Sequence, residues 1–280
     1  PGQSLQCGAA GCAILGTVPT LHPPRSTPQA VARGPRRAPG ASAAGRRRAF
    51  VEAAVGLPED PARFLRRCLA ACVAVEVVLV LLHLGAWHLG GLAGLAVDGH
   101  IGGFDLGDEA TLAVWFSSFQ LLVVALLCRM CAWASPGCGP LPWGLGAFLF
   151  LIMAVDETGG LHEVFGKGMA RVLPGVPLAA RTWWVLPYAA GIGLFVLGAL
   201  RELRGELPAR CGVVLGPGCW AAAVLVDHVD PSTRAWNLAL EEGLEMLGAT
   251  LLVGAIGMHL LRVTRGGAGS SPGEAPAPGG

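Results

Sequence analysis

The chain has few charged residues and a single lysine. Charged residues occupy 14% of its 280 positions, whereas a water-soluble domain normally has about 25%. Hydrophobic residues make up 53% of the sequence, and their long runs exclude most soluble protein classes. Lys167 stands against nineteen arginines, which indicates a GC-rich coding bias and no particular function. The composition therefore predicts an integral membrane protein.

Common catalytic signatures are missing as well. The sequence has no phosphate-binding loop, no dinucleotide fingerprint and no Gly-x-Ser-x-Gly elbow. These absences exclude the standard nucleotide-binding loops and the nucleophile of α/β-hydrolases. Cys128 and Cys131 have a zinc-like spacing but lack a second pair, so they are interpreted as free cysteines. The arginines of the low-complexity N-terminal segment specify no nucleic-acid partner.

Six apolar runs are long enough to cross a membrane, since about 20 residues at about 1.5 Å each span a hydrocarbon core of about 30 Å. We predict an all-α polytopic bundle over residues 63–265, because an open sheet edge cannot be satisfied in lipid. Residues 1–62 and 266–280 are rich in Pro, Gly and Ala and are expected to be disordered, although residues 1–60 could also precede the natural start. The predicted spans are Arg67–Gly90, Glu109–Trp133, Leu141–Gly166, Thr182–Leu200, Cys211–His228 and Trp236–Leu261.

Basic residues determine the expected orientation of the bundle. If the N-terminus is cytoplasmic, sixteen Lys and Arg residues lie inside and four lie outside. Removing the seven that precede Arg63 still leaves nine against four. The positive-inside rule therefore predicts that both termini are cytoplasmic, and we expect the protein in a bacterial inner membrane.

With this topology, the unusual polar residues fall at one depth, in the outer third of the membrane. Asp156 is expected about 21 Å from the inner boundary and Glu245 about 13 Å below the outer one. An acid at the centre of a span costs about 2.5–3.5 kcal/mol, so six acids facing lipid would cost on the order of 15 kcal/mol. They must therefore face one another or a wet cavity. The six acids are Asp156, Glu157, Glu163, Glu241, Glu242 and Glu245.

The spacing of these acids predicts a metal site. Asp156 and Glu163 are seven residues apart and share a helix face, and Glu242 and Glu245 are three apart. Helix bundles hold metal ions with carboxylates and imidazoles from several helices. Zinc, iron, manganese and calcium are not distinguished, because the Glu-x-x-His pair of di-iron sites is absent. The predicted ligands of this divalent metal ion are Asp156, His162, Glu163, Glu242 and Glu245, with Glu157 or Glu241 as the proton-transfer group.

Further polar residues are candidates for the same cavity, with simpler interpretations beside them. The acids around Asp105 could cap the second span, and the group around Asp227 could form a solvated turn. Charges at a helix end, or acids that complement a helix dipole, would also explain part of the ligand set. His83 and Glu76 are interpreted first as a buried hydrogen-bonded pair. The additional candidates are Asp105, Asp108, Glu109, His83, Asp227 and His228.

Four motifs resemble a family of bacterial multipass membrane proteins of uncharacterised function. The resemblance covers the six spans, about residues 67 to 262, and excludes both tails. It implies that the acids form a shared site, but it implies no activity. The motifs are Phe104-Asp105-Leu106 with Glu109, Trp115-Phe116-Ser117-Ser118, Asp156-Glu157 with His162-Glu163, and Glu241-Glu242 with Glu245-Met246-Leu247-Gly248.

The leading functional hypothesis is metal-assisted hydrolysis of a lipid-like or other small-molecule substrate taken from the membrane, with the metal ion activating a water. One alternative is a proton- or cation-coupled transporter or channel that uses the same carboxylates. It requires polar groups that continue to the inner face, where the sequence offers little beyond Glu76. The other alternative is a non-catalytic membrane assembly protein. The sequence makes no prediction about oligomeric state.

Overall fold

Seven α-helices, and no strand, make up the described part of the chain. The computed structural model describes residues 60–93, 106, 111–135, 139–173, 183–226 and 234–266. Six of these helices, all but α4, are long and apolar enough to cross a membrane. The helices are α1 (Pro61–Ala93), α2 (Leu112–Ala134), α3 (Pro140–Gly159), α4 (Leu161–Val172), α5 (Val185–Glu202), α6 (Leu207–Val226) and α7 (Arg234–Gly266).

The prediction of an all-α bundle with six spans is confirmed. The fifth predicted span forms helix α6, which continues through Pro217. Such an interior proline is tolerated where neighbouring groups replace the lost backbone hydrogen bond. The cytoplasmic location of the termini stays a prediction. The predicted tails, 1–62 and 266–280, lie outside the described residues except where α1 begins and α7 ends.

The third predicted span is divided into two helices at Gly160. This residue has a φ of 57° and a ψ of 28°, in the left-handed region that glycine adopts without steric penalty. Its N–H donates to the carbonyl of Asp156 at 2.8 Å, which closes the last turn of α3. The continuous helix predicted over Leu141–Gly166 is therefore wrong beyond Gly159, and α4 starts in a new direction.

Helix α7 lies at the centre of the bundle. It packs against α1, α2 and α6, while α3 packs against α2 and α5, and α5 packs against α6. Helix α1 buries one narrow stripe that contains Glu76, Leu79 and His83, a spacing that places all three on one helix face. Most of its other apolar side chains are exposed, as expected for a helix that contacts lipid on its outer side.

Aromatic side chains join α3, α5 and α6. Trp143, Phe150 and Phe195 are fully buried. The Phe195 ring makes edge-on contacts with Trp143 and with Phe150, at centroid distances of 6.1 and 5.1 Å. Phe150 also packs against Trp220 at 6.0 Å. Edge-to-face contacts add specificity to apolar packing, so this aromatic cluster fixes α3 relative to α5 and α6.

Candidate metal centre

Three carboxylates from two helices converge at one end of the bundle. Glu157 lies in the last turn of α3, and Glu242 and Glu245 lie one turn apart on α7. All three are partly buried, and one oxygen atom from each lies within 4.8 Å of the other two. Ionised carboxylates this close repel one another unless a cation or a proton is shared between them. We call these three residues the carboxylate cluster.

Neighbouring helices hold in place the two helix segments that carry the carboxylate cluster. The Ser117 hydroxyl of α2 hydrogen-bonds to Glu157, and Ser118 Oγ donates to the carbonyl of Ala154 at 2.6 Å. On the other side, Trp220 Nε1 of α6 donates to the carbonyl of Glu245 at 3.0 Å. The backbone that carries the cluster is therefore hydrogen-bonded to side chains of α2 and α6, which limits how far its carboxylates can separate.

Asp156 organises a second polar group beside the carboxylate cluster. Its side chain is buried, and Oδ1 accepts the main-chain N–H of His162 at 2.6 Å. This bond satisfies one of the free N–H groups at the start of α4. His162 Nδ1 lies 3.1 Å from the same oxygen, and Oδ2 accepts the Tyr188 hydroxyl at 2.6 Å. Because Nδ1 is directed at a carboxylate, Nε2 is the proton acceptor of the neutral ring.

Glu163, a predicted ligand, lies outside the carboxylate cluster. Its side chain is 46% exposed and forms an ion pair with Lys167 at 2.5 Å, one turn further along α4. The prediction that Glu163 shares a face with Asp156 assumed one continuous helix. The left-handed backbone at Gly160 removes that register, so Asp156 belongs to α3 and Glu163 to α4.

The other predicted site residues are found in several places. Glu241 is partly buried and interacts electrostatically with Glu242, so it borders the carboxylate cluster. His83 is 2% exposed, and its Nδ1 accepts the N–H of Leu106 at 3.2 Å. The remaining cavity candidates lie outside the described residues; they are Asp105, Asp108, Glu109, Asp227 and His228.

Two polar contacts were not predicted from the sequence. One is the contact of Asp156 with Tyr188, the only tyrosine in the chain. That rarity was the one feature of the sequence that could have marked Tyr188 as a site residue. At the opposite end of the bundle, Glu206 Oε1 lies 3.0 Å from His259 Nδ1 and 2.9 Å from Arg262 Nη1. The His259 ring stacks on Trp143 at a centroid distance of 4.9 Å. Glu206 thus ties the connection between α5 and α6 to the last turns of α7.

Asp156 changes the acid–base behaviour of His162. The hydrogen bond between them raises the pKa of His162 above its ordinary value of about 6.5. Burial opposes this rise, whereas the negative charges of Asp156, Glu157 and Glu163 support it. A raised pKa in the folded state means that the Asp156–His162 pair stabilises the folded protein fully below about pH 6.5. The stabilisation is lost as the pH rises through the pKa of His162 in the folded state.

We therefore expect His162→Gln to lower the thermal unfolding midpoint more in mildly acidic than in alkaline buffer. His88→Gln is the matched control, because His88 is exposed. Circular dichroism of the detergent-solubilised variants over a pH series measures the difference. A destabilisation by His162→Gln that is the same at every pH would argue against the charged pair.

No curated protein and no solved structure matches the chain. A family model does match, over residues 69–260, and its description is a domain of unknown function, DUF8692. The matched region includes the carboxylate cluster and the contact between Asp156 and His162. Because the match covers more than half of the sequence, the chain belongs to the DUF8692 family.

Proposed function

We propose that this integral membrane protein binds a divalent metal ion at the carboxylate cluster and uses it to hydrolyse a lipid-like substrate. The observation that supports metal binding is the approach of Glu157, Glu242 and Glu245 to within 4.8 Å, oxygen to oxygen. Three ionised carboxylates this close repel one another, and a bound cation would relieve that repulsion. Ligands that are all oxygen favour manganese or calcium over zinc. Glu157 thus replaces Asp156, His162 and Glu163 in the proposed ligand set.

His162 is the proposed proton acceptor. A divalent ion polarises a substrate oxygen and makes a coordinated water more acidic, and hydrolysis then needs a nearby base. Asp156 fixes the His162 ring through Nδ1 at 3.1 Å, which leaves Nε2 available to accept a proton. The ring is bound to Asp156, the residue that precedes Glu157 on α3, so it belongs to the same end of the bundle as the carboxylate cluster. Tyr188 holds the second oxygen of Asp156 and so keeps that carboxylate in position.

Helix α4 supports a substrate that comes from the membrane. Leu161, Val164 and Phe165 are 51%, 69% and 45% exposed, while Lys167 and Arg171 add positive charge to the same short helix. Helices of this kind lie at the membrane interface with their apolar side chains among the acyl chains. Helix α4 follows directly on the α3 end that carries Glu157. The excess of basic residues at the opposite side supports an outward orientation of this end in a bacterial inner membrane.

Metal content tests the first half of the proposal. We expect wild-type protein reconstituted with manganese or calcium and then desalted to retain the ion in stoichiometric amount. In Glu157→Gln/Glu245→Gln the retained metal should fall at least about tenfold, since even outer-shell partners of metal sites contribute about 10–100-fold in affinity. Glu163→Gln is the matched control, because it removes an exposed carboxylate and should change nothing. Elemental analysis that finds no metal in the wild type, or equal metal in the double variant, would refute the site.

Hydrolysis is tested separately from metal binding. When the metal-loaded protein is incubated with a bacterial lipid extract in ¹⁸O-water, a product should acquire ¹⁸O. The metal-free protein should give no labelled product. The label should be lost with Glu157→Gln/Glu245→Gln and retained with Glu163→Gln. If metal binds but no product acquires ¹⁸O, the hydrolase proposal fails while the metal site stands.

Cation- or proton-coupled transport is the second candidate, and one observation favours it. Glu76 lies deeper in the bundle than the carboxylate cluster, in contact with Gln120 and Thr250. On α7, however, about 14 Å of helix separate Thr250 from His259, and the buried residues between them include Leu252 and Ile256. Since every α7 residue between Thr250 and His259 is apolar, we place transport second.

A further inference from the structure

A buried polar group joins three helices within the apolar core. Glu76 of α1 is 5% exposed, and Gln120 of α2 is 2% exposed. Gln120 Nε2 donates to Glu76 Oε1 at 2.8 Å, and Thr250 Oγ1 of α7 donates to the same oxygen at 2.5 Å. Gln120 Nε2 also lies 2.7 Å from Thr250 Oγ1. We call these three residues the core carboxyl group.

Glu76 lacks a positively charged partner in this surrounding. No ion pair between a basic side chain and Glu76 is formed among the described residues. The helices that pack around it present an amide from α2 and a hydroxyl from α7, neither of which carries charge. Cys72, one turn earlier on α1, is a titratable neighbour of Glu76, and a thiol supplies no positive charge. His83 lies two turns further along the same stripe, where its Nδ1 accepts the N–H of Leu106. An ionised carboxylate in such surroundings is strongly disfavoured unless a positive charge accompanies it.

Gln120 provides an independent sign of a bound ligand. Its Oε1 atom is buried and has no hydrogen-bond donor within the described part of the chain. Exchanging the oxygen and nitrogen of the Gln120 amide would not satisfy the oxygen. It would remove the hydrogen bonds that Nε2 donates to Glu76 and to Thr250 and would direct the amide oxygen at the carboxylate. Natural proteins rarely leave a buried acceptor without a partner. The oxygen of Gln120 is therefore open to a ligand, and a cation beside it would also neutralise the carboxylate of Glu76.

We propose that the core carboxyl group binds a single monovalent cation, Na⁺. One carboxylate carries one negative charge, so a monovalent cation neutralises the group, whereas a divalent ion would leave a net charge in apolar surroundings. Ionisable residues buried within a membrane bundle mark ion pathways and proton relays. The site is separate from the carboxylate cluster and does not depend on metal binding there.

Thermal unfolding of the purified full-length protein in detergent and EDTA tests this proposal. The series replaces choline chloride by sodium chloride at constant ionic strength and constant pH. If Na⁺ is the ligand, the wild-type midpoint rises with sodium concentration, because a ligand of the folded state stabilises it by mass action. Glu76→Gln should abolish this sodium response.

Two further variants keep the test decisive. Glu202→Gln makes the same chemical change at an exposed carboxylate and should leave the response intact. Gln120→Leu keeps the charge of Glu76 and removes the amide oxygen, so the response should move to at least tenfold higher sodium concentration. A wild-type midpoint that does not respond to sodium overturns the proposal, as does a response shared equally by Glu76→Gln and Glu202→Gln. EDTA keeps the carboxylate cluster free of divalent metal, so failure of either proposal is recognised separately.

Discussion

Gly248→Leu is expected to separate α6 from α7 and to prevent stable folding. A Cβ atom at Gly248 would lie 2.7 Å from the carbonyl oxygen of Gly216 and 3.0 Å from Trp220 Nε1. The first of these contacts is with main chain, which cannot rotate away as a side chain can. The reverse contact is equally close, with a Cβ at Gly216 lying 2.8 Å from the carbonyl of Gly248. Small residues allow such close approach of helices in membranes.

The expected loss exceeds the about 1–3 kcal/mol of ordinary overpacking, because the clash also displaces the Trp220 hydrogen bond to Glu245. Gly218→Leu is the matched control, since nothing lies within 4 Å of the Cβ position at Gly218. Both proteins are compared by the yield of monodisperse material and by thermal unfolding in detergent. If Gly248→Leu unfolds at the wild-type temperature, or if Gly218→Leu is equally damaging, the close α6–α7 contact is not essential.

Glu242→Lys is expected to abolish metal binding while stabilising the metal-free protein. One oxygen of Glu242 lies within 4.8 Å of an oxygen of Glu157 and of an oxygen of Glu245. Like charges 4 Å apart repel by about 4 kcal/mol at an effective dielectric constant of about 20. A lysine ammonium at this position converts two repulsions into two attractions and takes the place of the ion. The gain should be on the order of 1 kcal/mol or more, after the burial of the ammonium group is subtracted.

The measurement compares the unfolding midpoints of wild type and Glu242→Lys with EDTA and with manganese. We expect EDTA to lower the midpoint of the wild type alone, since the variant carries its own cation. Glu163→Lys is the matched control, because it makes the same charge reversal at an exposed position and should keep the metal response. If Glu242→Lys is less stable than the EDTA-treated wild type, the three carboxylates do not repel one another in the metal-free protein.

The six spans could be predicted from hydropathy, because a segment that crosses lipid must be apolar and must form its backbone hydrogen bonds within itself, as an α-helix does. The position of the helix break does not follow in the same way. Of the adjacent glycines 159 and 160, only Gly160 takes the left-handed conformation. No proline interrupts residues 143–166, so a single longer helix was the natural prediction. That error placed Glu163 on the wrong helix.

The choice between adjacent acids could not be made from the sequence either. Asp156 and Glu157 are neighbours on α3 and project about 100° apart around its axis. Which of them meets α7 depends on the rotation of α3 about that axis. The Ser118 contact and the aromatic packing of Phe150 determine that rotation, and both are tertiary. The partners of Glu76 are likewise distant, 44 residues away at Gln120 and 174 away at Thr250.

Helix α7 contributes side chains to three of the polar groups in the bundle. Glu245 belongs to the carboxylate cluster, Thr250 to the core carboxyl group, and His259 to the contact with Glu206. These residues lie on a single helix, about 8 Å and about 14 Å apart along its axis. A rotation of α7 as a rigid rod would therefore alter all three groups together. An ion that binds at the carboxylate cluster and favours one rotation of α7 would therefore change the ion affinity of the core carboxyl group. Because linkage between binding sites is reciprocal, an ion bound at the core carboxyl group would change the affinity of the cluster by the same factor.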